Sequence, residues 1–256
     1  MRCLSWNVNG IRAVERKGQL PWEVVPGVDV VGIQETKARP EQLSEAMQAP
    51  SGWHAAWHSA EKAGYSGVAL FSRDEPDEVV LGCGDDQFDS EGRVISALFG
   101  QVLVVSAYFP NSQDGGKRLD YKLAFCAQME AFLQEWRDAG CETVLLGDYN
   151  IAHRPIDLAR PKPNEGSAGY LPEERAWMDR YIDELGYHDV FREENPDLAD
   201  AYSWWSFRGG ARSRNVGWRI DYATVSPGLR ERASEAQVHA DVEGSDHCPV
   251  SLQIDL

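Results

Sequence analysis

Thiols are scarce in this sequence and poorly placed for structural work. Cys3, Cys83, Cys126, Cys141 and Cys248 are an odd number, scattered over 256 residues and never in a CxxC pair. That pattern argues against a disulfide framework and against a zinc site, and it fits a reducing cytosol. Long apolar runs are missing too, since none approaches the ~20 residues that span a bilayer. The opening MRCLSWNVNG enters a strand-like run with no basic, apolar and cleavable leader before it. The expectation is a cytoplasmic protein that uses no membrane. Neither the acyl-transfer elbow GxSxG nor the phosphate-cradling GxxxxGK[ST] occurs, so acyl transfer and P-loop chemistry are unsupported. The last deficit is positive charge. With 25 Lys and Arg against 41 Asp and Glu, the net charge is −16, the wrong sign for bulk attraction to nucleic acid. Such a partner would need local positive charge or metal ions.

Apolar residues are plentiful enough for one large domain that buries roughly 70–75% of its unfolded surface. Apolar, β-branched runs predict buried strands at RCLSWNV, DVVGIQE, SGVALFSR, RVISALF, QVLVVSAYFP, ETVLLGDYN, RIDYATVS and PVSLQIDL. Helical patterns lie between them. Leu119, Leu123, Met129, Leu133 and Trp136 predict a helix over about 117–139, stopped by Gly140. A second is predicted over about 172–185, with Pro172 in its first turn and Trp177, Tyr181 and Leu185 on one stripe. No linker or low-complexity segment divides the chain. One layered α/β domain over residues 1–256 is expected.

The polar residues at the ends of these runs carry the chemistry. Asn7 and Asn9 end the first, Glu35 the second; Tyr108 and Asn111 end the fifth, Asp148 and Asn150 the sixth. Asp221 lies in the apolar setting of GWRIDY, and Asp246 and His247 precede the last run. Each alone has a plain explanation in turn chemistry, because Asp and Asn bond their own backbone readily. GDYN is the sharpest case. An acid and an amide two apart share one face of an extended chain, or they form an Asx turn where the strand stops. Six such boundaries, if they converge, make a pocket of carboxylates and amides with one imidazole. Oxygen donors without thiolates suit Mg²⁺ or Mn²⁺ more than zinc, and Mg²⁺ takes substrate phosphate oxygens as further ligands. Metal-assisted phosphodiester hydrolysis fits this set best.

The segments SWNVNGIRA, IQETK, GYSGVALFSR, EGRVI, YFPN, GDYNIAH, IDL..PKPN, NVGWRIDY and SDHCPV, in that order, cover essentially the whole chain. Together they resemble the motif set of exonuclease III-type apurinic/apyrimidinic (AP) endonucleases, a branch of the endonuclease/exonuclease/phosphatase superfamily. The resemblance implies a DNase I-like four-layer α/β sandwich, two mixed β-sheets packed face to face with helices outside. It implies Mg²⁺-dependent incision of DNA 5′ to abasic sites, with Mn²⁺ as a substitute ion and with 3′→5′ exonuclease or 3′-phosphodiesterase activity. Glu35 would be the principal metal ligand with Asn7 beside it, and Asp246 a second metal contact or neighbour. Asp148 would position or deprotonate the attacking water, and Asn150 would hold that water and a phosphate oxygen, both close to the metal. His247 would contact the scissile phosphate, oriented by Asp221. Tyr108 would bind phosphate or stabilise the leaving group, and Asn111 would hydrogen-bond the phosphate. Asn9 stands where some relatives carry Asp, which weakens any second metal site. One metal or two, and Asp148 or His247 as general base, stay open.

DNA must still meet a chain of net charge −16. Residues 201–220, AYSWWSFRGGARSRNVGWRI, contain Arg208, Arg212, Arg214 and Arg219 and no acid, interleaved with Tyr202, Trp204, Trp205, Phe207 and Trp218. Trp205 is expected in the core. By resemblance Trp204 and Trp218, with Ile220, wall an apolar pocket for a flipped, baseless sugar, whose extrusion costs less than the few kcal/mol of a normal base. Arg12, Lys17, Lys37, Tyr65, Arg93, Lys117 and Arg118 match phosphate contacts, Arg93 and Lys37 from within motifs, and Asn164 matches a further backbone contact. The implied partner is double-stranded DNA with abasic sites or blocked 3′ ends, with no obligate protein partner. Two alternatives stay open: a small-molecule or phosphoinositide phosphoesterase of the same fold, and a non-catalytic nucleic-acid-binding relative.

Overall fold

A computed structural model describes residues Met1–Leu256. Twelve strands form two mixed six-stranded sheets. The first holds β1 (Arg2–Asn7), β2 (Val30–Gln34), β3 (His54–His58), β4 (Val68–Ser72), β11 (Ala233–Val238) and β12 (Val250–Ile254), in the order β11-β12-β1-β2-β4-β3. The second holds β5 (Glu78–Leu81), β6 (Val94–Phe99), β7 (Val102–Tyr108), β8 (Glu142–Asp148), β9 (His188–Asp189) and β10 (Asp221–Val225), in the order β5-β6-β7-β8-β10-β9. One parallel pair, β1 with β2 and β7 with β8, lies inside each sheet.

Side chains alternate across each strand, and here both faces are apolar because both are covered. Cys3, Val30, Val68, Leu70, Val104, Val144, Leu146 and Val225 meet between the sheets. Their neighbours Leu4, Trp6, Val31, Ile33 and Phe71 face outward onto Ile11, Val14 and Trp22. On the far side Leu103, Val105 and Leu145 face Phe125, Met129 and Leu133 of the long helix Leu119–Asp138 and Trp177 of the helix Pro172–Asp179. Three apolar layers thus hold four structural layers together. The second predicted helix is composite: after Asp179 it continues as a π-helical turn over Arg180–Glu184.

Each of the eight runs predicted as strands contains one. The four strands not anticipated, β3, β5, β9 and β11, are the four sheet edges. Edge strands have one pairing partner and one open side, so they keep short, polar or charged compositions; Glu78 and Glu235 lie on two of them.

Parallel pairing sends the ends of β1, β2, β7 and β8 to one rim of the sandwich. Asp221 pairs with Asp148 at the start of antiparallel β10, which brings it to the same rim. The space between the sheets turns polar as it approaches that rim. Gln34 Nε2 donates to Ser106 Oγ at 3.0 Å. Gly32 permits this close approach, since a Cβ there would stand 2.9 Å from Ser106.

Candidate active site

β8 stops at Asp148, and Asn150 takes a left-handed φ of 52°. The continued extended face envisaged for GDYN is therefore not formed. The N–H of Asn150 donates to Asp148 Oδ1 at 2.8 Å and Asn150 Nδ2 to Asp148 Oδ2 at 3.3 Å, so an Asx turn brings acid and amide together. Asn150 also donates to the carbonyl of Phe109 at 3.0 Å and accepts from Asn111 Nδ2 at 2.9 Å. Both ends of its amide are thus engaged.

Asn7 bridges the two sheets. Its Nδ2 donates to Glu35 Oε1 at 2.9 Å and to Asp148 Oδ2 at 2.8 Å, while its Oδ1 accepts the N–H of Asn9 at 2.9 Å. Asn7 thus turns its amide donor toward the two acids. Asp246 accepts from Asn9 Nδ2 at 2.8 Å and Trp204 Nε1 at 3.2 Å and stands outside the acid cluster. His247 Nδ1 lies 2.9 and 3.1 Å from the two oxygens of Asp221, and Ser203 Oγ donates to Asp221 at 2.6 Å. His247 Nε2 faces Asp148 Oδ2 at 3.9 Å.

Burial and crowding govern the protonation of this group. Burial, then the charges of Asp221 and Glu35, push Asp148 up to about 7 against the opposing pull of His247. Burial alone would lower the His247 imidazole, but Asp221 and then Asp148 outweigh it and push it up to about 10. Burial, with Glu35 and Asp148 nearby, holds Tyr108 well above the usual phenol range. Glu35, Asp148 and His247 each bring one ligand atom within 4.8 Å of the others. Two carboxylates and an imidazole at this spacing are donors that a metal ion can take.

The cluster opens into a cavity of about 290 Å³. Trp204, Trp218 and Ile220, residues 167–169, and Asp148, Asn150 and His247 line it. The indoles of Trp204 and Trp218 meet edge to face, 6.3 Å between centroids. Trp205 is buried.

Residues 4–247 match the Endonuclease/Exonuclease/phosphatase family. The chain belongs to that family. Over its full length it is 45% identical to an exodeoxyribonuclease of Bacillus subtilis, all of which is covered. It is 41% identical to the DNA repair nuclease APEX1 of Danio rerio, over 98% of this chain and 81% of the relative. Among solved structures, an AP endonuclease from Archaeoglobus fulgidus superposes with a TM-score of 0.88 at 29% identity, covering both chains completely. The resemblance to exonuclease III-type AP endonucleases and the DNase I-like sandwich are thereby established.

Within this family frame, several residues matched to phosphate contacts have other partners. Arg93 is 1% exposed; its guanidinium binds Glu91 at 2.6 Å, the Tyr65 hydroxyl at 2.9 Å and the Tyr108 carbonyl at 3.0 Å. It braces both tyrosines and has no free face for DNA. Arg118 is paired with Glu91 and Tyr65. Lys37 lies 2.7 Å from Glu35 Oε2 and also donates to Asn9 Oδ1. Asn164 donates to the Arg160 carbonyl at 2.7 Å, away from the cavity. Lys17 donates to the Gly244 carbonyl at 2.6 Å, and Lys117 is exposed. Arg12 is exposed, and with Lys37 it lines a surface hollow that includes no acid.

Sequence reasoning missed Arg16 in that hollow, Asp114 and residues 167–169 at the cavity, and Lys122 behind it. Lys122 left a trace, since it interrupts the apolar stripe of its helix with a charge. The small residues of GSAGY left none.

Proposed function

We propose that this DNA-repair nuclease incises duplex DNA on the 5′ side of abasic sites and trims blocked 3′ ends, using Mg²⁺. One observation carries the reading: the Glu35–Asp148–His247–Asp221 array opens directly into a cavity of about 290 Å³ lined by Trp204, Trp218 and Ile220. A phosphate at the array places an extruded baseless sugar against Trp204, Trp218 and Ile220. A base on that sugar would meet the indoles.

Glu35 and Asp148 fit a hard divalent ion, because their oxygens converge without a thiolate and crowding lifts Asp148 as an uncompensated charge does. Mg²⁺ held there supplies positive charge to the phosphate and the departing oxygen. The protein's own groups do the rest. Asp148 accepts the proton of the attacking water, whose oxygen bonds to phosphorus as the P–O3′ bond breaks. Asn150 and Asn111 hold the water and a phosphate oxygen. His247 is protonated and donates from Nε2 to the phosphate while Asp221 fixes Nδ1, so His247 is the electrophile and Asp148 the base. Tyr108 remains a phenol and hydrogen-bonds to the leaving O3′, which takes its proton from bulk water. The hollow's unpaired Arg12 and Arg16 receive backbone phosphates, contacts that fix register without reading sequence. Five free cysteines support a cytoplasmic location.

The test is a duplex oligonucleotide with one tetrahydrofuran abasic analogue, which cannot undergo β-elimination. Incision 5′ to the analogue with Mg²⁺, none with EDTA, and a loss of about 10²-fold or more in Asp148→Asn are expected. Folded protein that leaves the duplex intact and hydrolyses small phosphomonoesters would overturn the reading.

A further inference from the structure

Lys122 lies on the core-facing side of the helix Leu119–Asp138, and its side chain is 0% exposed. An ammonium so enclosed must be paired and hydrogen-bonded. Glu174, also 0% exposed, pairs with it at 2.7 Å. The second acceptor is the backbone carbonyl of Asn150, 2.6 Å from Lys122 Nζ. Asn150 is a non-glycine residue at φ 52°, a conformation that persists only where the surroundings over-determine it. Lys122 grips that turn from behind while Asn111, Phe109 and Asp148 hold its side chain in front.

Glu174 extends the grip to two more loops. Its Oε1 accepts from Ser112 Oγ at 2.6 Å, one residue beyond Asn111. Its Oε2 accepts the N–H of Leu171 at 2.9 Å, at the end of the 167–169 cavity wall. That wall is also tied to the Asn150 loop, since the Ala152 N–H donates to the Gly169 carbonyl at 2.8 Å. One buried ion pair therefore touches the segments that carry Asn111, Asn150 and the cavity wall. Stability alone does not call for it, because a well-packed apolar pair serves equally well in such a place.

We propose that Lys122 and Glu174 are positioning residues, which lock the Asn150 turn, the Asn111 loop and the cavity wall into one geometry. This rests on the role assigned above to Asn150 and Asn111. The pair touches no substrate; it sets where the amides stand.

Four variants test it: Lys122→Met, the double variant Lys122→Met/Glu174→Met, Ser112→Ala and Asn150→Ala. Each is measured for its thermal midpoint and for single-turnover incision of the tetrahydrofuran duplex across DNA concentrations. Lys122→Met alone strands a buried carboxylate and loses both stability and rate. The double variant regains the wild-type midpoint, yet its saturating rate stays about 10²-fold low, with half-saturating DNA within about threefold of wild type. Wild-type rates in the double variant would show a merely structural pair and overturn the inference. Should the double variant not fold, Ser112→Ala decides: a saturating rate about fivefold low, with half-saturating DNA unchanged in protein that is fully folded at the assay temperature, supports the lock, and an unchanged rate refutes it. Asn150→Ala separates the two readings. If it keeps wild-type activity, the assignment of Asn150 fails; if it is inactive while the double variant is fully active, only the lock fails.

Discussion

Replacing Asp221 with Asn should change how the rate depends on pH more than whether the protein folds. His247 Nδ1 sits 2.9 Å from Asp221, and the imidazole is pushed up to about 10 from an ordinary 6.5. That rise is worth of order 5 kcal/mol. A unit charge at 2.9 Å in an effective dielectric of about 20 contributes about 6 kcal/mol, so Asp221 is the largest of the charges that overcome burial, with Asp148 next. Asparagine keeps the shape and can still accept from Nδ1, with Ser203 holding it, but the charge is gone. Burial then pulls the imidazole well down from its wild-type value, opposed only by Asp148 and Asp246. The sign follows directly. Wild-type His247 keeps its proton from pH 6 to 9, so its contribution is flat there. In Asp221→Asn the protonated fraction falls by up to tenfold for each pH unit above the lowered pKa, so the rate declines between pH 6 and 9 where the wild-type contribution is flat. Single-turnover incision of the tetrahydrofuran duplex at pH 6, 7, 8 and 9, with saturating Mg²⁺, measures this. A variant whose profile runs parallel to wild type would refute the cationic role of His247, whatever its absolute rate.

Two further outcomes follow from backbone crowding and a buried charge network. Gly147→Ala would place a Cβ 2.2 Å from the Ala107 carbonyl oxygen, forcing β8 away from β7 just before Asp148. Calorimetry should show a loss of about 1–3 kcal/mol, with incision falling further than stability; a wild-type midpoint and rate would exclude the close approach. Asp157 is buried; burial opposes its ionisation, but Arg219 and Arg192 outweigh this and hold it down to about 2 from 3.8. Its stabilisation, about 2 kcal/mol, is complete above pH 3.8 and is lost as pH falls through about 2. Denaturant titrations between pH 5 and 2 should show that loss in the wild type and lack it in Asp157→Asn, whereas equal slopes would place the charge elsewhere.

The sequence by itself determined the eight strands that carry the sandwich, because strands covered on both faces must be apolar throughout and cannot hide. It also determined which chemical groups end those strands: Glu35, Tyr108, Asp148, Asp221 and His247. The edge strands escaped because their open sides relax the compositional demand. What each polar group does was decided only in three dimensions. Asn7 bonds Asp148 across 141 positions and Asn150 leaves the strand for a left-handed turn, so neither shows its orientation in its neighbours. Arg93, whose motif suggested a DNA contact, is enclosed by Glu91, Tyr65 and the Tyr108 carbonyl. Lys122 became an internal clamp because the packing of its helix brought it to Glu174 and to Asn150. Local sequence sets propensity and inventory; a hydrogen-bond partner or a shifted charge depends on which distant segments the closed sheets bring within 3 Å.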